Sequence, residues 1–183
     1  SVRSRFTRSA RIEDTDRGAD FLDGFALHES AWEILQRVGH YISNTTDRAF
    51  TWTGPYGTGK SSLALFLSAL VSEDKALRTR AEKLLGARRA KKFRAHFPSP
   101  TTGWIVVRVV GRRDDPEACI AEALGRAVRG RWRKSRRREA LLEGAIADQL
   151  NAVAKLATKE GGGLLLLIDE MGKLLEFAGQ TGG

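Results

Sequence analysis

The sequence is poor in cysteine and histidine, which form disulfides and zinc sites. Its single cysteine, Cys119, cannot form an internal disulfide and excludes any cysteine-rich metal site. The histidines, His28, His40 and His96, do not match the spacing of a recognised zinc site. We therefore expect Cys119 to be a packing residue and the histidines to be structural or exposed.

Long apolar runs are also missing. The longest aliphatic run, Leu164–Ile168, is far shorter than the roughly 20 residues that a membrane-spanning helix needs. The N-terminal segment is rich in Arg and Ser but lacks the apolar core of a secretory signal. The sequence thus predicts a cytoplasmic protein with no membrane partner.

Acidic residues are fewer than basic ones. The chain has 31 Lys and Arg against 22 Asp and Glu, and its net charge of +9 favours polyanionic partners. The excess is concentrated in two segments predicted to be helical, within 74–97 and 126–138. One interpretation is that they bind DNA or RNA phosphates, with Trp132 stacking on a base, and the other is a solvated surface or one for an acidic protein. The candidate nucleic-acid contacts are Arg126, Arg129, Arg131, Trp132, Arg133, Lys134, Arg136, Arg137 and Arg138.

Hydrophobic periodicity predicts an α/β fold. Apolar residues at helical spacing predict helices over 31–42, 63–71, 74–95 and 139–159. Ser30 with Glu33 matches a capping box for the first of these, and Asp115 followed by Pro116 predicts the start of another helix. Strands are predicted at Ala49–Thr53, Trp104–Val110 and Leu164–Ile168. Alternating strands and helices indicate a mainly parallel sheet covered on both faces.

A glycine-rich segment follows the first predicted strand. Residues Gly54 to Ser61 read GPYGTGKS and match GxxxxGK[ST], the Walker A motif. Its glycines leave room for a phosphate chain against the backbone, where N–H groups and a helix N-terminus attract anions. In this motif Lys60 reaches the phosphates and the Ser61 hydroxyl ligates Mg²⁺. The predicted nucleotide-binding residues are Gly54, Pro55, Tyr56, Gly57, Thr58, Gly59, Lys60, Ser61 and Ser62.

A second motif lies at the end of the last predicted strand. Leu164–Ile168 is followed by Asp169 and Glu170, as in a Walker B strand that ends in an acidic pair. A carboxylate at Asp169 would complete a magnesium site with Ser61. Glu170 is placed to polarise an attacking water as a general base. The alternative is an apolar core strand that ends in two solvated acids.

Together these residues resemble the P-loop ATPases whose second motif ends in an acidic pair, the division containing AAA+, STAND and origin-recognition-type proteins. The likeness covers residues 28–177 in outline, and the stretches GPYGTGKSSLALFL and LLLLIDEMGKLLEFA resemble large bacterial ATPases of phage-defence operons. It implies ATP and Mg²⁺ as cofactors, ATP hydrolysis, and catalytic roles for Lys60 and Glu170. It also implies a three-layer sandwich with the sheet order 5-1-4-3-2, in which the strand after the acidic pair lies between the two motif strands.

The domain organisation follows from this resemblance. Residues 1–27 show no clean periodicity and are predicted to be an irregular basic lead-in. Residues 28–183 are predicted to be the N-terminal part of a P-loop ATPase domain, incomplete at the C-terminus. We therefore expect the rest of a longer chain, and oligomer neighbours, to be among its partners.

Other P-loop classes fit less well. A Ras-like GTPase would carry an NKxD motif and an ABC ATPase a signature like LSGGQ, and neither is in the sequence. The predicted function is a magnesium-dependent ATPase that drives a conformational change in a larger, nucleic-acid-associated protein. Two alternatives stay open: an ATP-loaded signalling switch or scaffold with negligible turnover, and a small-molecule kinase.

Overall fold

The computed structural model describes residues 18–54, 59–99, 102–133 and 138–181. The helices are α1 Gly18–Asp23, α2 Glu29–Asn44, α3 Lys60–Val71, α4 Lys75–Leu85, α5 Ala87–His96, α6 Pro116–Arg131, α7 Ile146–Lys159 and α8 Met171–Thr181. The strands are β1 Ile105–Val110 and β2 Leu164–Asp169, and a short 3-10 helix spans Ala140–Leu142. The predicted α/β class is confirmed. Within the described ranges, no helix is both long and apolar enough to cross a membrane.

The two strands form a parallel sheet. Ile105 lies opposite Leu164 at the amino end, and Val110 lies opposite Asp169 at the carboxyl end. Both strands consist largely of β-branched or aliphatic residues, which suit a sheet buried by helices. The connection from β1 to β2 runs through α6 and α7, as parallel strands require a long crossover.

Each face of this sheet has its own hydrophobic core. Because side chains alternate along a strand, Ile105, Val107 and Val109 point to one face, where they pack with α6, α7 and α8. Val106 and Leu165 point to the other face and pack with a cluster drawn from α1 to α5. Helices therefore cover both sides of the sheet, as predicted.

The first predicted strand is wrong. Residues 49–54 have no regular secondary structure. A strand exists only where its backbone N–H and C=O groups pair with those of a neighbour, and in the described part of the chain β1 and β2 pair only with each other. Phe50 accordingly stays 38% exposed. The aromatic and Thr-rich composition of Ala49–Thr53 therefore does not produce a strand by itself.

Two predicted helices are each broken by a glycine. The helix expected over 74–95 divides into α4 and α5 at Gly86, whose φ is 75°. The helix expected over 139–159 divides at Gly144, whose φ is 82°, into the 3-10 helix and α7. Glycine adopts such left-handed values without a steric penalty, so the apolar periodicity continues while the backbone turns.

Helix starts were predicted with mixed success. Asp115 caps α6 as expected, because its carboxylate accepts hydrogen bonds from the N–H groups of Glu117 and Ala118. The capping box predicted at Ser30 is wrong, since α2 already begins at Glu29 and no side chain caps it. The irregular lead-in is also wrong over Gly18–Asp23, which forms α1.

A half-buried cation, Arg108, lies in the middle of the sheet. Arg108 of β1 turns toward α3, where its Nη2 donates a hydrogen bond to Ser68 Oγ at 3.0 Å. Its Nε is buried and finds no hydrogen-bond partner in the described residues. Burial also lowers the pKa of the Arg108 guanidinium, because the charged form loses its hydration.

Candidate nucleotide-binding site

The two sequence motifs meet at the carboxyl end of the sheet. Ser61, in the first turn of α3, donates a hydrogen bond from Oγ to Oδ2 of Asp169, the last residue of β2, at 2.8 Å. The two residues are 108 positions apart along the chain, so the fold makes this contact. Both side chains are half-buried. The two residues predicted to ligate magnesium are therefore neighbours.

The Asp169 carboxylate is held through both of its oxygens. Oδ2 accepts from Ser61, and Oδ1 accepts from the backbone N–H of Glu170 at 2.9 Å. The Asp169 carbonyl oxygen also accepts from the N–H of Gly111 at 2.8 Å, which ties it to the chain just after β1. These bonds hold the carboxylate facing Ser61.

Lys60 contacts the first residue of the glycine-rich motif. Its Nζ donates to the carbonyl oxygen of Gly54 at 2.8 Å. Gly59 precedes α3 with a φ of 79°, a left-handed conformation that favours glycine. An ammonium group and the N-terminus of α3 thus lie together, where both attract anions. Ser62 is half-buried in the first turn of α3. Outside the described residues lie four predicted phosphate contacts, Pro55, Tyr56, Gly57 and Thr58.

Glu170 follows Asp169 in an unusual backbone conformation. Its φ is 52°, and no other non-glycine residue in the described ranges has a positive φ. Such a value costs an L-residue about 1 kcal/mol, so the surrounding structure must impose it. The Glu170 Oε2 accepts a hydrogen bond from Lys173 Nζ at 2.5 Å. The predicted base is thus adjacent to Asp169 but is bound to a lysine at the start of α8.

Lys173 and Gly111 belong to this site although the sequence reasoning missed both. Lys173 had a local signal, because it stands three residues after Glu170, a spacing at which an acid and a lysine pair in helices, although α8 itself begins at Met171. Gly111 directly follows the β-branched strand β1, and a Cβ built there would come within 2.1 Å of the Glu170 carbonyl oxygen. Only glycine therefore lets the chain after β1 approach the acidic pair so closely.

The oxygen atoms at this junction fit magnesium bound together with a phosphate. No group of three or more His, Cys, Asp or Glu residues suited to a metal ion occurs within the described ranges. Ser61 and Asp169 supply two hard oxygen ligands, the type that Mg²⁺ prefers. In nucleotide sites Mg²⁺ takes its other ligands from waters and substrate phosphates, so two protein oxygens are enough.

Two predicted nucleic-acid contacts are part of the fold at the other end of the sheet. The side chain of Arg131 is only 8% exposed and pairs with Glu160 at 2.7 Å and Glu73 at 3.5 Å. It also donates to the carbonyl oxygen of Thr102. Trp132 donates from Nε1 to Glu160 at 2.9 Å and packs against the core. We therefore withdraw Arg131 and Trp132 from the predicted contacts.

The pKa values of Glu160 and Glu73, the two partners of Arg131, shift in opposite directions. For Glu160, burial raises the pKa, but hydrogen bonds from Arg131 and Trp132 and the charge of Arg131 outweigh burial, and the net pKa is lowered. For Glu73, burial raises the pKa and the more distant Arg131 offsets it only in part. Glu160 is therefore the main partner of Arg131.

The other candidates of the 126–138 segment vary in their contacts. Arg126 and Arg138 each pair with a neighbouring glutamate at the surface, and such pairs contribute little to stability. Arg129 and Arg133 are exposed. Outside the described residues lie Lys134, Arg136 and Arg137.

The chain was also compared with known proteins. No protein-family model matches it, and neither does any curated protein or solved structure.

Proposed function

We propose that the chain is part of a magnesium-dependent ATPase whose nucleotide site lies between the start of α3 and the end of β2. The observation that carries this proposal is the hydrogen bond between Ser61 and Asp169. These residues come from the two separate motifs, and they are the hydroxyl and the carboxylate that a P-loop protein uses to hold one magnesium ion. Under the alternative interpretation, an apolar core strand that ends in two solvated acids, no contact between Asp169 and Ser61 is expected.

The proposed roles follow from the chemistry of each group. The backbone of the glycine-rich segment and Lys60 bind the phosphates, and Ser61 and Asp169 hold Mg²⁺, which neutralises phosphate charge when bound. Because Gly111 has no Cβ, the backbone of Asp169 and Glu170 can lie against the chain that follows β1. Glu170 orients a water molecule and accepts its proton as the water oxygen attacks the terminal phosphorus, and the bond from that phosphorus to the bridging oxygen breaks, so that ADP leaves with the oxygen.

We further propose that the complete fold is a P-loop sandwich with one more strand beside β2. Every residue of β2 is only half-buried although Leu164 to Ile168 are all aliphatic. The edge of β2 away from β1 pairs with nothing in the described ranges. A strand on that edge would bury these side chains and occupy the position beside β2 that the family resemblance implies.

Nucleotide binding and phosphate release test the proposal. We expect Lys60→Ala to abolish measurable ATP binding, because it removes the ammonium group at the phosphates. We expect Glu170→Gln to bind ATP but to lose at least about 100-fold in turnover, the usual effect of removing a general base. Lys155→Ala, an exposed lysine of α7, is the matched control. Normal ATP binding by Lys60→Ala would disprove the site, and normal turnover by Glu170→Gln would disprove the base.

A second candidate is a nucleotide-loaded switch that turns over ATP negligibly. The observation that favours it is the bond between the Glu170 carboxylate and Lys173, which occupies the proposed base. ATP would then co-purify with the protein and remain intact over hours of incubation with Mg²⁺. If Lys173→Met released phosphate faster than the unmodified chain, the lysine would be shown to restrain hydrolysis.

A further inference from the structure

The cations of the hairpin formed by α4 and α5 fall into two groups. The first group is held by the fold, through ion pairs of 2.5 to 2.7 Å or through backbone carbonyl oxygens: Arg78, Arg80, Arg89 and Arg94. The second group is exposed and has no acidic partner among the described residues: Lys75, Lys83, Arg88, Lys91 and Lys92. We call this second group the hairpin cations. The acids nearest in sequence are already used, because Glu82 pairs with Arg94 and Asp74 caps α4.

Three of the hairpin cations, Arg88, Lys91 and Lys92, are placed unfavourably for helix stability. Arg88 lies in the first turn of α5, which has no acidic residue, and there the helix dipole repels a positive charge. Arg88 also lies three and four positions before Lys91 and Lys92, so like charges share one face of the helix. The charges of these three residues therefore disfavour α5, and a bound polyanion would relieve their repulsion.

The chemistry around the hairpin cations favours duplex nucleic acid as the polyanion. A single strand is bound by stacking its bases on exposed aromatic rings, but the hairpin aromatics Phe93 and Phe97 are buried and stack on each other. A helix that lies on a membrane must offer an apolar face, but that face of α5 packs into the core. The one large apolar side chain exposed on the hairpin is Leu84, which is too little for such a face.

We propose that the hairpin cations bind the phosphate backbone of duplex nucleic acid without reading its sequence. Phosphates are contacted by Lys and Arg side chains of this kind, and such contacts position a protein on a duplex without base specificity. The surface is distinct from the 126–138 segment, in which Arg131 and Trp132 are engaged in the fold. Because α4 packs on α3, the helix that begins with Lys60 and Ser61, the surface is joined to the nucleotide site by one helix.

The salt dependence of DNA binding tests this proposal and does not require ATP hydrolysis. Binding of a short random-sequence DNA duplex is measured by fluorescence anisotropy over a series of salt concentrations. Five phosphate contacts predict a slope of log K against log salt of roughly −4.5. The variant R88Q/K91Q/K92Q should have a slope of roughly −1.8 and bind on the order of 100-fold more weakly at low salt.

A control variant with the same change in net charge distinguishes the effect of the hairpin cations on DNA binding from the effect of net charge. R37Q/K155Q/K159Q removes three exposed cations outside the hairpin, and none of them has an acidic partner within the described ranges. It should keep the affinity and slope of the unmodified chain. The hairpin variant should unfold at the same temperature or higher, since it loses only repulsive charges, and its ATP binding should be unchanged. The unfolding temperature and ATP binding therefore distinguish failure of this inference from failure of the proposed nucleotide site.

Several results would overturn the inference. They are an unmodified chain that does not bind the duplex, a hairpin variant with unchanged slope, and a control variant that loses as much affinity as the hairpin variant. Tighter binding to single-stranded DNA than to the duplex would also contradict it. Binding to phosphatidylserine vesicles in place of DNA would identify the surface as a membrane contact.

Discussion

The two ends of the β1–β2 sheet are both polar, but their contacts differ in kind. At the amino end, Arg131 is almost fully buried and bonds Glu160, Glu73 and Thr102, so its donors are used within the fold. At the carboxyl end, Ser61 and Asp169 are half-buried, and their oxygens retain lone pairs that a metal can take. α3 runs from one end to the other, with Ser61 in its first turn and Glu73 just beyond its end.

The amino end is therefore held by contacts within the fold, whereas the carboxyl end carries the groups of the proposed nucleotide site. In parallel α/β sheets ligands bind beyond the carboxyl ends of the strands, where helix N-termini also meet. Substitutions at the amino end should therefore change the free energy of unfolding, and those at the carboxyl end should change nucleotide binding more than stability.

Arg131→Met should lower the free energy of unfolding by about 2–3 kcal/mol, because Glu160 and Glu73 would be left without their shared cation. Urea denaturation measures this loss. The control is Arg126→Met, which breaks an exposed pair with Glu122 and should change stability by less than about 0.5 kcal/mol. If both variants lost the same free energy of unfolding, the ion pairs of Arg131 with Glu160 and Glu73 would contribute no more than an exposed surface pair.

Gly111→Val should lower stability by about 2 kcal/mol and also weaken ATP binding, because a Cβ at this position collides with the Glu170 carbonyl oxygen. Gly130→Ala is the matched control, since a Cβ there meets no atom within 4 Å. In a helix that change should be neutral or stabilising. A Gly111→Val variant with normal stability and ATP affinity would show that the close approach of β1 to the acidic pair is dispensable.

Arg108→Met should raise stability by about 1 kcal/mol. Arg108 lies between the two ends of the sheet and is half-buried. Its buried Nε–H has no hydrogen-bond partner, and unlike Arg131 it has no acidic partner, among the described residues. A methionine of similar length would fill the space without a charge to desolvate. Thermal unfolding measures the change, and a clear loss of stability would mean that the bond to Ser68 outweighs the desolvation of the charge.

Acidic pH should weaken the amino end through Glu160. Its pKa is lowered in the folded state from the ordinary 4.5, so its stabilising contribution is present above pH 4.5 and is lost as pH falls through the folded value. Glu73 opposes this, because its raised pKa means that protonation near and above pH 4.5 favours the folded state. Glu160→Gln should therefore lose less stability than the unmodified chain between neutral and acidic pH. An unchanged pH profile of the unfolding free energy would rule out Glu160 as the titrating partner.

Asp169→Asn should have the smallest effect on stability, within about 0.5 kcal/mol, because an amide can still hydrogen-bond Ser61. It should nevertheless abolish the magnesium dependence of ATP binding, since a neutral amide is a poor ligand for a hard cation. Isothermal titration with and without Mg²⁺ measures this. A variant that lost stability but kept magnesium-dependent binding would reverse the roles of the two ends.

Some features were predictable because short sequence patterns are enough to specify them. The cap of α6 depends on Asp115 and its near neighbours, and the alternation of strands and helices follows from local periodicity. The residue types at the carboxyl end of the sheet were predictable too, because the GxxxxGK[ST] motif identifies its residues by their spacing alone. Gly86 and Gly144 were visible as glycines, but the left-handed conformation of the backbone at each depends on how the flanking helices pack.

Other features could not be predicted because they depend on partners distant in the chain. Ala49–Thr53 has the composition of a strand, but without a neighbouring strand in the described ranges its backbone has nothing to pair with. Trp132 stands among arginines and suggested base stacking, whereas its indole N–H bonds Glu160, 28 positions away. A run of basic residues does not show which of them face acids.

The sequence by itself determined which residues form the two motifs and that strands alternate with helices, since these follow from residue type and local spacing. Only the tertiary structure decided that Ser61 and Asp169 meet across 108 positions, that Gly111 lets the acidic pair approach, and which cations are paired and which are exposed. The reason is physical: propensity and motif chemistry act over a few residues, whereas burial and pairing depend on which distant segments the core brings together.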